Sequence, residues 1–309
     1  MQTDTRTLLL TDVVDSTKMA ARIGDAAMAA LWAAHDRVAR DLLPQHGGRE
    51  IDKTDGMLLM FDAAGPAVAY AVAYQRALAT LPTPLSARAG LHVGPVILRE
   101  NSAEDVARGA KPIEVDGLAK PTAARVMSMA RGGQVLLTPE ARAALGAGDN
   151  GAAGAWRTTS HGHWSLKGLT DPIEVFEVGD EGTEFRLPEE GEKAHRMVRS
   201  GERWVPVSAL PNNLPPQRSS FVGRETEMKE IQALLEEAAL VTVLGMGGLG
   251  KTRITLQVAA ERLPRYPDGA WFVDLSAVTE TLSSTRWRAR STSSRSRAGR
   301  CCWPLRAPG

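Results

Sequence analysis

The order of apolar segments at the start of the chain limits its fold more than any other feature. An apolar run that ends in Asp12 precedes a helix with apolar residues at helical spacing, which ends at His46-Gly47-Gly48. Two short apolar runs follow on either side of Asp55-Gly56, a dipeptide typical of a hairpin turn. A second helix and further strands come next. This succession of strand, helix, two strands, helix and strand predicts a ferredoxin-like βαββαβ domain of the α+β class.

The predicted elements extend this domain to residue 179. We expect strands at 6–12, 49–54, 57–62, 85–93, 95–99, 133–137, 160–167 and 173–178, and helices at about 66–80 and 119–130. A further short helix is expected to begin with Thr138 as its N-cap and Pro139 as its first residue. We therefore predict one domain over residues 1–179.

Two aspartates are the strongest indication of chemistry. Asp12 ends a strand and Asp55 occupies a hairpin turn, so the strand, helix and hairpin can fold back to bring the carboxylates together. Hard divalent cations take oxygen ligands of this kind. A carboxylate pair can hold the metal ions that assist in-line phosphoryl chemistry. The alternatives without a metal are that Asp12 is only a helix cap or turn residue and that Asp55 only forms an ordinary turn. Asp15 or Ser16 is the expected cap of the first helix.

Composition and charge favour a soluble globular protein over membrane, disulfide-rich or broadly nucleic-acid-binding classes. The chain has 309 residues, of which 43% are hydrophobic and 24% charged, as in a soluble globular protein of about two domains. No apolar run reaches the roughly 18 residues that span a bilayer, and the N-terminus does not resemble a signal peptide, so we expect a cytoplasmic protein without a membrane partner. The adjacent Cys301 and Cys302 exclude a disulfide framework. Residues 281–309 hold seven arginines and no acid; without them the net charge falls from +1 to −6, which argues against a broad nucleic-acid surface.

The first 179 residues resemble the catalytic domain of class III adenylyl and guanylyl cyclases. The resemblance rests on several motifs that occur in the same order and with similar gaps. They are Leu10-Thr11-Asp12-Val13-Val14-Asp15-Ser16-Thr17, Asp55-Gly56, Ala89-Gly90-Leu91-His92-Val93-Gly94, Gly117 through Arg125, Gly132-Gly133-Gln134-Val135-Leu136-Leu137 and His163-Trp164-Ser165-Leu166-Lys167-Gly168-Leu169.

This resemblance implies a homodimeric enzyme of intracellular signal transduction that converts ATP to cyclic AMP and pyrophosphate, a phosphorus–oxygen lyase. Asp12 and Asp55 match the family's ligands for two Mg²⁺ or Mn²⁺ ions per site. Arg125 matches an arginine that stabilises the transition state. Backbone N–H groups at 13–17 would face the phosphates.

Several positions depart from the family pattern. Thr54 replaces the usual glycine before the second metal aspartate, and Pro121 replaces an asparagine that contacts the transition state. Ile51 stands where the family has a purine-selecting lysine, so the neighbouring Lys53 is the candidate substitute. Glu114 stands at the other purine-selecting position, which is commonly aspartate. Because proline has no side-chain donor, Pro121 removes the contact that the asparagine makes to the transition state, and the loss of one such donor typically lowers the rate about 10²–10³-fold. The alternative is therefore a degenerate cyclase domain that binds nucleotide or dimerises without turnover.

A second motif follows residues 180–218, an acidic and proline-containing segment that we predict to be a linker. A P-loop lies between a predicted strand at 239–244 and a predicted helix at 251–262. Its backbone N–H groups would cradle phosphates, its lysine would reach the β- and γ-phosphates, and its threonine would ligate Mg²⁺. The candidate phosphate-binding residues are Gly245, Gly247, Gly248, Gly250, Lys251 and Thr252.

Together with Ser220-Phe221-Val222-Gly223-Arg224-Glu225, this P-loop resembles the start of a signalling ATPase of the NB-ARC or STAND type. We predict a truncated P-loop α/β fragment over 219–278, with a strand at 270–275, and no ATPase activity, because no second acidic strand follows. Residues 279–309 are rich in Arg and Ser and are expected to be a disordered, truncated or out-of-frame end. A basic arm that binds nucleic acid is the alternative for this tail.

Overall fold

The structure, a computed structural model, describes residues 3–53, 56–146, 156–215, 223–266 and 268–274. The chain divides into two units, Met1–Met197 and Val198–Gly309, so the boundary falls inside the predicted linker 180–218. Thr54, Asp55 and the predicted tail 279–309 lie outside the described residues.

The first unit consists of a sheet with helices on its two faces. Its strands are β1 (Thr3–Val13), β2 (Arg49–Lys53), β3 (Gly56–Phe61), β4 (Ala87–Glu100), β5 (Ile113–Asp116), β6 (Val135–Leu137), β7 (Arg157–Leu166), β8 (Ile173–Gly179) and the first four residues of β9 (Ala194–Ser200). Its helices are α1 (Ser16–Ile23), α2 (Asp25–Leu42), α3 (Ala64–Ala79), α4 (Ala103–Ala107), α5 (Ala119–Met129) and α6 (Pro139–Gly146), with a short 3₁₀ helix at Pro44–His46.

The strand order confirms the predicted ferredoxin-like α+β fold. The strands follow each other as β9-β7-β8-β6-β4-β1-β3-β2, with β5 beside β4. Within this sheet, β4-β1-β3-β2 are antiparallel neighbours, α1 and α2 connect β1 to β2, and α3 connects β3 to β4. This is the split βαβ arrangement, extended by β6, β7 and β8.

The two faces of the sheet pack against different helices, and this decides which side chains share a site. Leu9 of β1 belongs to the large core with residues of α2 and α3. Leu8, its neighbour, belongs to a second cluster with Ala119 and Ala123 of α5. Because successive strand residues point to opposite faces, the even-numbered residues of β1 lie on the α5 face.

In the first unit, one predicted helix and two predicted strands differ from the observed elements. The helix expected after β1 is divided into α1 and α2 at Gly24, whose φ of 82° lies in the left-handed region that favours glycine. The strands expected at 85–93 and 95–99 form the single strand β4 in spite of Pro95. At Pro95 the neighbouring strand is β1 alone, since β6 pairs with β4 at 89–91 and β5 pairs at 97–100. The missing N–H is tolerated there because no second strand requires it.

The second unit contains β10 (Arg203–Pro206), α7 (Glu225–Glu237), α8 (Lys251–Arg262) and 3₁₀ helices at Val207–Ala209 and Leu263–Arg265. The helix predicted at 251–262 is present. The strand predicted at 239–244 is not formed, and the one predicted at 270–275 is limited, in its described part, to an isolated bridge between Ala270 and Asn212. A strand without a paired neighbour leaves its backbone groups unsatisfied, so sequence pattern alone does not create one.

No helix in the described part of the chain has the length and apolar content needed to cross a membrane.

Candidate active site

Asp12 lies near the end of the central strand β1, opposite Gly56 of β3 and Arg88 of β4. Its position in the strand places it on the α5 face, as for Leu8. A guanidinium N–H of Arg88 donates to the carboxylate of Asp12 at 2.5 Å. The Asp12 side chain keeps 25% of its surface accessible, so the carboxylate is reached from solvent and is already balanced by one cation.

The second predicted carboxylate, Asp55, lies outside the described residues, but its neighbour Gly56 shows how tightly the hairpin meets β1. A Cβ atom on Gly56 would come within 1.8 Å of the Thr11 carbonyl oxygen, so glycine is required here. Among the described residues, no group of three or more His, Cys, Asp or Glu side chains could hold a metal ion. The donor set that the structure describes at this point is therefore the Asp12 carboxylate.

Helix α1 begins directly after this point. Asp15 occupies the N-cap position, as expected, but its φ is 55° and its side chain makes no cap hydrogen bond. The carboxylate pairs instead with Lys18 at 2.6 Å. The N-terminus of α1 therefore keeps N–H groups that the Asp15 side chain does not satisfy, a feature suited to an anion.

Arg125 and Pro121 lie on α5, the helix that covers the Asp12 face of the sheet. Arg125 Nε donates to the carbonyl oxygen of Lys167 at 3.0 Å, which holds its guanidinium beside the end of β7. Pro121 is the third residue of α5, where a missing N–H costs nothing because the first turn has no intrahelical acceptors. The structure places Arg125 on the expected helix and gives Pro121 a structural explanation.

The two candidate base-selecting residues lie on the other face of the sheet. Lys53 is opposite Met57, a residue of the core under α2 and α3, and its ammonium group donates to Asp36 of α2 at 2.5 Å. Glu114 neighbours Val115, which packs in the α5 cluster, so Glu114 points the opposite way. In this structure, neither candidate faces the side on which Asp12 lies.

A register shift in β2 explains the placement of Lys53. The pairing of β2 with β3 is irregular between Glu50 and Asp52, and such a bulge reverses the faces of the residues that follow. It places Asp52 on the α5 side, opposite Leu58, where it forms an ion pair with Lys111. This pair could not be predicted from the sequence, because a bulge cannot be read from the alternation of a five-residue strand.

Lys53 closes a buried polar network beneath the sheet. Asp36 accepts from Lys53 and, at 3.0 Å, from His35 Nδ1, while the Tyr74 hydroxyl donates to His35 Nε2 at 2.6 Å. Burial raises the pKa of Tyr74, so its hydroxyl keeps its proton. Burial is also the largest influence on His35 and lowers its pKa, against the raising effect of Asp36. The lowered pKa favours the neutral form of His35, and a proton on Nδ1 matches its contact with the Asp36 carboxylate.

We expect the first unit to lose stability as the pH falls from 7.5 to 5.5. An unfolded histidine has a pKa of about 6.5. Because the folded-state pKa of His35 is lower, the unfolded chain binds more protons below about pH 6.5, and the free energy of unfolding decreases until the folded-state pKa is passed. His46 and His92, whose pKa values are also lowered by burial, act in the same direction.

The measurement is the free energy of opening of the β1 and β3 amides, from native-state hydrogen exchange at pH 7.5, 6.5 and 5.5, for the natural chain, for His35→Gln and for His195→Gln. His195 is exposed and serves as the control. His35→Gln should weaken the pH dependence, whereas His195→Gln should leave it unchanged. An unaltered slope in His35→Gln would show that His35 is protonated equally in both states.

Part of the predicted linker is attached to α5 in the first unit. The buried carboxylate of Glu177 accepts from His161 Nε2 at 2.7 Å, from Gln134 Nε2 at 2.9 Å and from the Arg186 N–H at 3.3 Å. The Glu189 N–H donates to the Met129 carbonyl at 2.8 Å and so satisfies a carbonyl at the C-terminal end of α5.

Arg131 reinforces this attachment. Its Nε donates to the Leu187 carbonyl at 2.8 Å and its guanidinium pairs with Glu189 at 3.1 Å. The Lys167 N–H donates to the Lys193 carbonyl at 2.9 Å, so the residue that holds Arg125 is itself held by this segment. Segment 183–193 therefore contacts both α5, the helix that carries Arg125, and Lys167, whose carbonyl oxygen accepts the hydrogen bond from Arg125.

The segment predicted to be a P-loop lies directly before α8. Gly250 is the N-cap of α8, with a φ of 75°, and Lys251 is its first residue. Lys251 Nζ donates to the carbonyl oxygens of Gly245 and Met246, both at 2.7 Å. The lysine thus closes over its own loop, and a bound phosphate would have to compete with these two carbonyls for the ammonium group of Lys251.

Solved structures that are similar to the first unit include nucleotide cyclase domains. A structure of adenylate cyclases from Trypanosoma brucei in their monomeric state has a TM-score of 0.52 and 24% identity, and covers 60% of this chain and 92% of that chain. The adenylyl cyclase CyaB from P. aeruginosa has a TM-score of 0.50 and 16% identity, with 59% and 97% covered. The guanylate cyclase domain of RhGC from Catenaria anguillulae, in complex with GTP, has a TM-score of 0.50 and 17% identity, with 58% and 98% covered.

Curated relatives match shorter parts of the chain. An uncharacterized protein of Mycobacterium tuberculosis is 40% identical over 62 residues, which are 20% of this chain and 16% of that protein. A putative HTH-type transcriptional regulator of the same organism is 44% identical over 61 residues, 19% of this chain and 7% of the regulator. The regulatory protein AfsR of Streptomyces griseus is 30% identical over 125 residues, 34% of this chain and 13% of AfsR.

The chain thus spans 16% or less of the length of these three curated relatives. No model of a known protein family matches it. The sheet order, the helices on its two faces and the solved structures agree on one conclusion: the first unit has the fold of adenylyl and guanylyl cyclase domains.

Proposed function

We propose that this protein is a nucleotidyl cyclase that converts ATP to cyclic AMP and pyrophosphate. The observation that carries the proposal is the position of Asp12, a solvent-accessible carboxylate on the central strand of a cyclase fold, opposite the hairpin residue that follows Asp55. Its partner in the structure is the guanidinium of Arg88. This fits a site for Mg²⁺ or Mn²⁺ held by Asp12 and Asp55.

In the proposed reaction, each of these residues would have a distinct role. Bound divalent cations supply the charge that lowers the pKa of the ribose 3′-hydroxyl and balances the leaving pyrophosphate. Asp12 and Asp55 hold that charge in place. N–H groups at the start of α1 orient the phosphates. Arg125 stabilises the negative charge that develops at the α-phosphate, which is an electrostatic contribution of the kind that dominates phosphoryl transfer.

We further propose a homodimer in which Arg125 of one copy completes the site built on Asp12 of the other. The test is complementation. Asp12→Asn and Arg125→Ala should each be nearly inactive as separate preparations, while a mixture allowed to exchange subunits should regain product formation, because a mixed dimer retains one intact site. A mixture that stays inactive would contradict a shared site.

The experiment that tests the activity is product analysis of the full chain with Mn²⁺ and either ATP or GTP. Cyclic AMP formation by the natural chain supports the proposal, and cyclic GMP alone would change the substrate to GTP. A folded protein that forms neither product would contradict it. Tight nucleotide binding without either product, if it persists in Lys251→Ala, would favour a degenerate, non-catalytic cyclase domain. The placement of Lys53 and Glu114 away from the Asp12 face favours this second candidate, because it removes both expected contacts to the base.

For the second unit, we propose that the P-loop binds a nucleoside phosphate without hydrolysing it. Lys251 at the start of α8 is the residue on which binding depends. Lys251→Ala should abolish binding of a fluorescent ATP analogue to an Asp12→Asn background, in which the cyclase site is disabled. Unchanged binding would contradict a role for this loop.

A further inference from the structure

Arg88 is a charged residue in the interior of the sheet, on the long central strand β4. It lies directly opposite Asp12, and both side chains belong to the α5 face. One guanidinium N–H donates to Asp12 at 2.5 Å. The Nε atom of the same guanidinium is buried and has no hydrogen-bond partner among the described residues.

These contacts mean that the Arg88 head group is held mainly by the charge of one carboxylate. A buried N–H without an acceptor disfavours the observed position, and the ion pair with Asp12 offsets that cost. The Arg88 side chain is 33% accessible, so a path to solvent exists. Neutralisation of Asp12 therefore removes the main interaction that holds the Arg88 guanidinium in this position.

We propose that Arg88 is the resident counter-ion of Asp12, which a divalent cation must displace, and that it thereby lowers the metal affinity of the site. This inference rests on the proposed metal site. Arg88 occupies an acceptor site of the carboxylate that would ligate the cation, and its charge repels a second cation nearby. The opposite role, in which Arg88 holds Asp12 in the correct orientation for a metal, predicts a change of the opposite sign.

The experiment is direct measurement of Mn²⁺ binding by electron paramagnetic resonance of the free ion, on the full chain without nucleotide. Arg88→Met removes the charge and keeps a long apolar side chain, and Arg88→Gln is the second variant in case the first does not fold. Arg99→Met is the matched control, since Arg99 lies on the same strand and pairs with Asp116 instead. Arg88→Lys retains the charge and should stay closer to the natural chain than Arg88→Met.

We expect the folded Arg88 variant to bind Mn²⁺ at least about tenfold more tightly than the natural chain, which corresponds to about 1.4 kcal/mol, with Arg99→Met unchanged. An equal or weaker affinity, or no Mn²⁺ binding in either protein, overturns the inference. Product analysis separates it from the proposed function. Cyclic-nucleotide formation with an unaltered Mn²⁺ affinity in the Arg88 variant leaves the cyclase proposal intact, whereas tighter Mn²⁺ binding without any product leaves only the counter-ion role.

Discussion

Asp12→Asn is expected to lower cyclic-nucleotide formation at saturating ATP and Mn²⁺ by about 10³-fold. Asparagine has the shape of aspartate and still accepts the hydrogen bond from Arg88, but it carries no charge to hold a divalent cation. Metal ions contribute several kcal/mol of charge stabilisation to such transition states, and each 1.36 kcal/mol changes the rate about tenfold. The measurement is the initial rate of product formation by chromatography.

The control for this prediction is Asp62→Asn. Asp62 follows β3 on the same chain segment, and its side chain is 89% exposed. It should retain the activity of the natural chain. If Asp12→Asn retained more than a tenth of the natural rate while its circular dichroism spectrum was unchanged, Asp12 would not be a metal ligand in the rate-limiting state.

Trp164→Ala is expected to lower the stability of the first unit by about 3–5 kcal/mol, the usual cost of removing a large aromatic residue from a core. Trp164 on β7 is fully buried, and its indole N–H donates to the His161 carbonyl at 3.1 Å. It packs with Val126 and Met129 of α5, the helix that carries Arg125. The cavity would therefore loosen the support of α5 as well as the sheet.

Native-state hydrogen exchange of the β6 and β8 amides is the appropriate measurement, because a chain of two units need not unfold in a single transition. Trp271→Ala is the control, since Trp271 lies in the second unit with 60% of its surface exposed. It should leave the exchange of these amides unchanged. Equal effects of the two substitutions would mean that Trp164 does not support this core.

The attachment of segment 183–193 gives the predicted linker a structural role. Composition indicated a linker because charged and proline residues are frequent there. The structure instead buries the carboxylate of Glu177 beneath this segment and joins Glu189 to the end of α5. Individual backbone contacts of this kind leave no periodic pattern in a sequence, so they emerge only when the surrounding strands are in place.

The positions of candidate site residues could be predicted where they depend on the order of strands and helices along the chain. They could not be predicted where they depend on the pairing register of neighbouring strands. Asp12 could be identified because it ends an apolar strand ahead of a helix, and the strand is found where expected. Arg125 could be placed on its helix for the same reason. Lys53 could not be assigned to a face, because the irregular pairing after Glu50 turns it toward Asp36. Arg88 was missed because a single charge in an apolar strand does not reveal its cross-strand partner.

Sequence patterns were sufficient to predict the main strands and helices of the split βαβ domain, its class of fold, the location of Asp12 near the end of β1 and the helix at 251–262. These follow from local hydrophobic periodicity and turn residues, which act over a few neighbouring positions. The contacts between distant residues required the folded structure: Asp12 with Arg88, Asp52 with Lys111, and Glu189 with the end of α5. The physical reason is that such contacts depend on strand register and bulges, which are fixed by packing of the whole sheet rather than by any local segment.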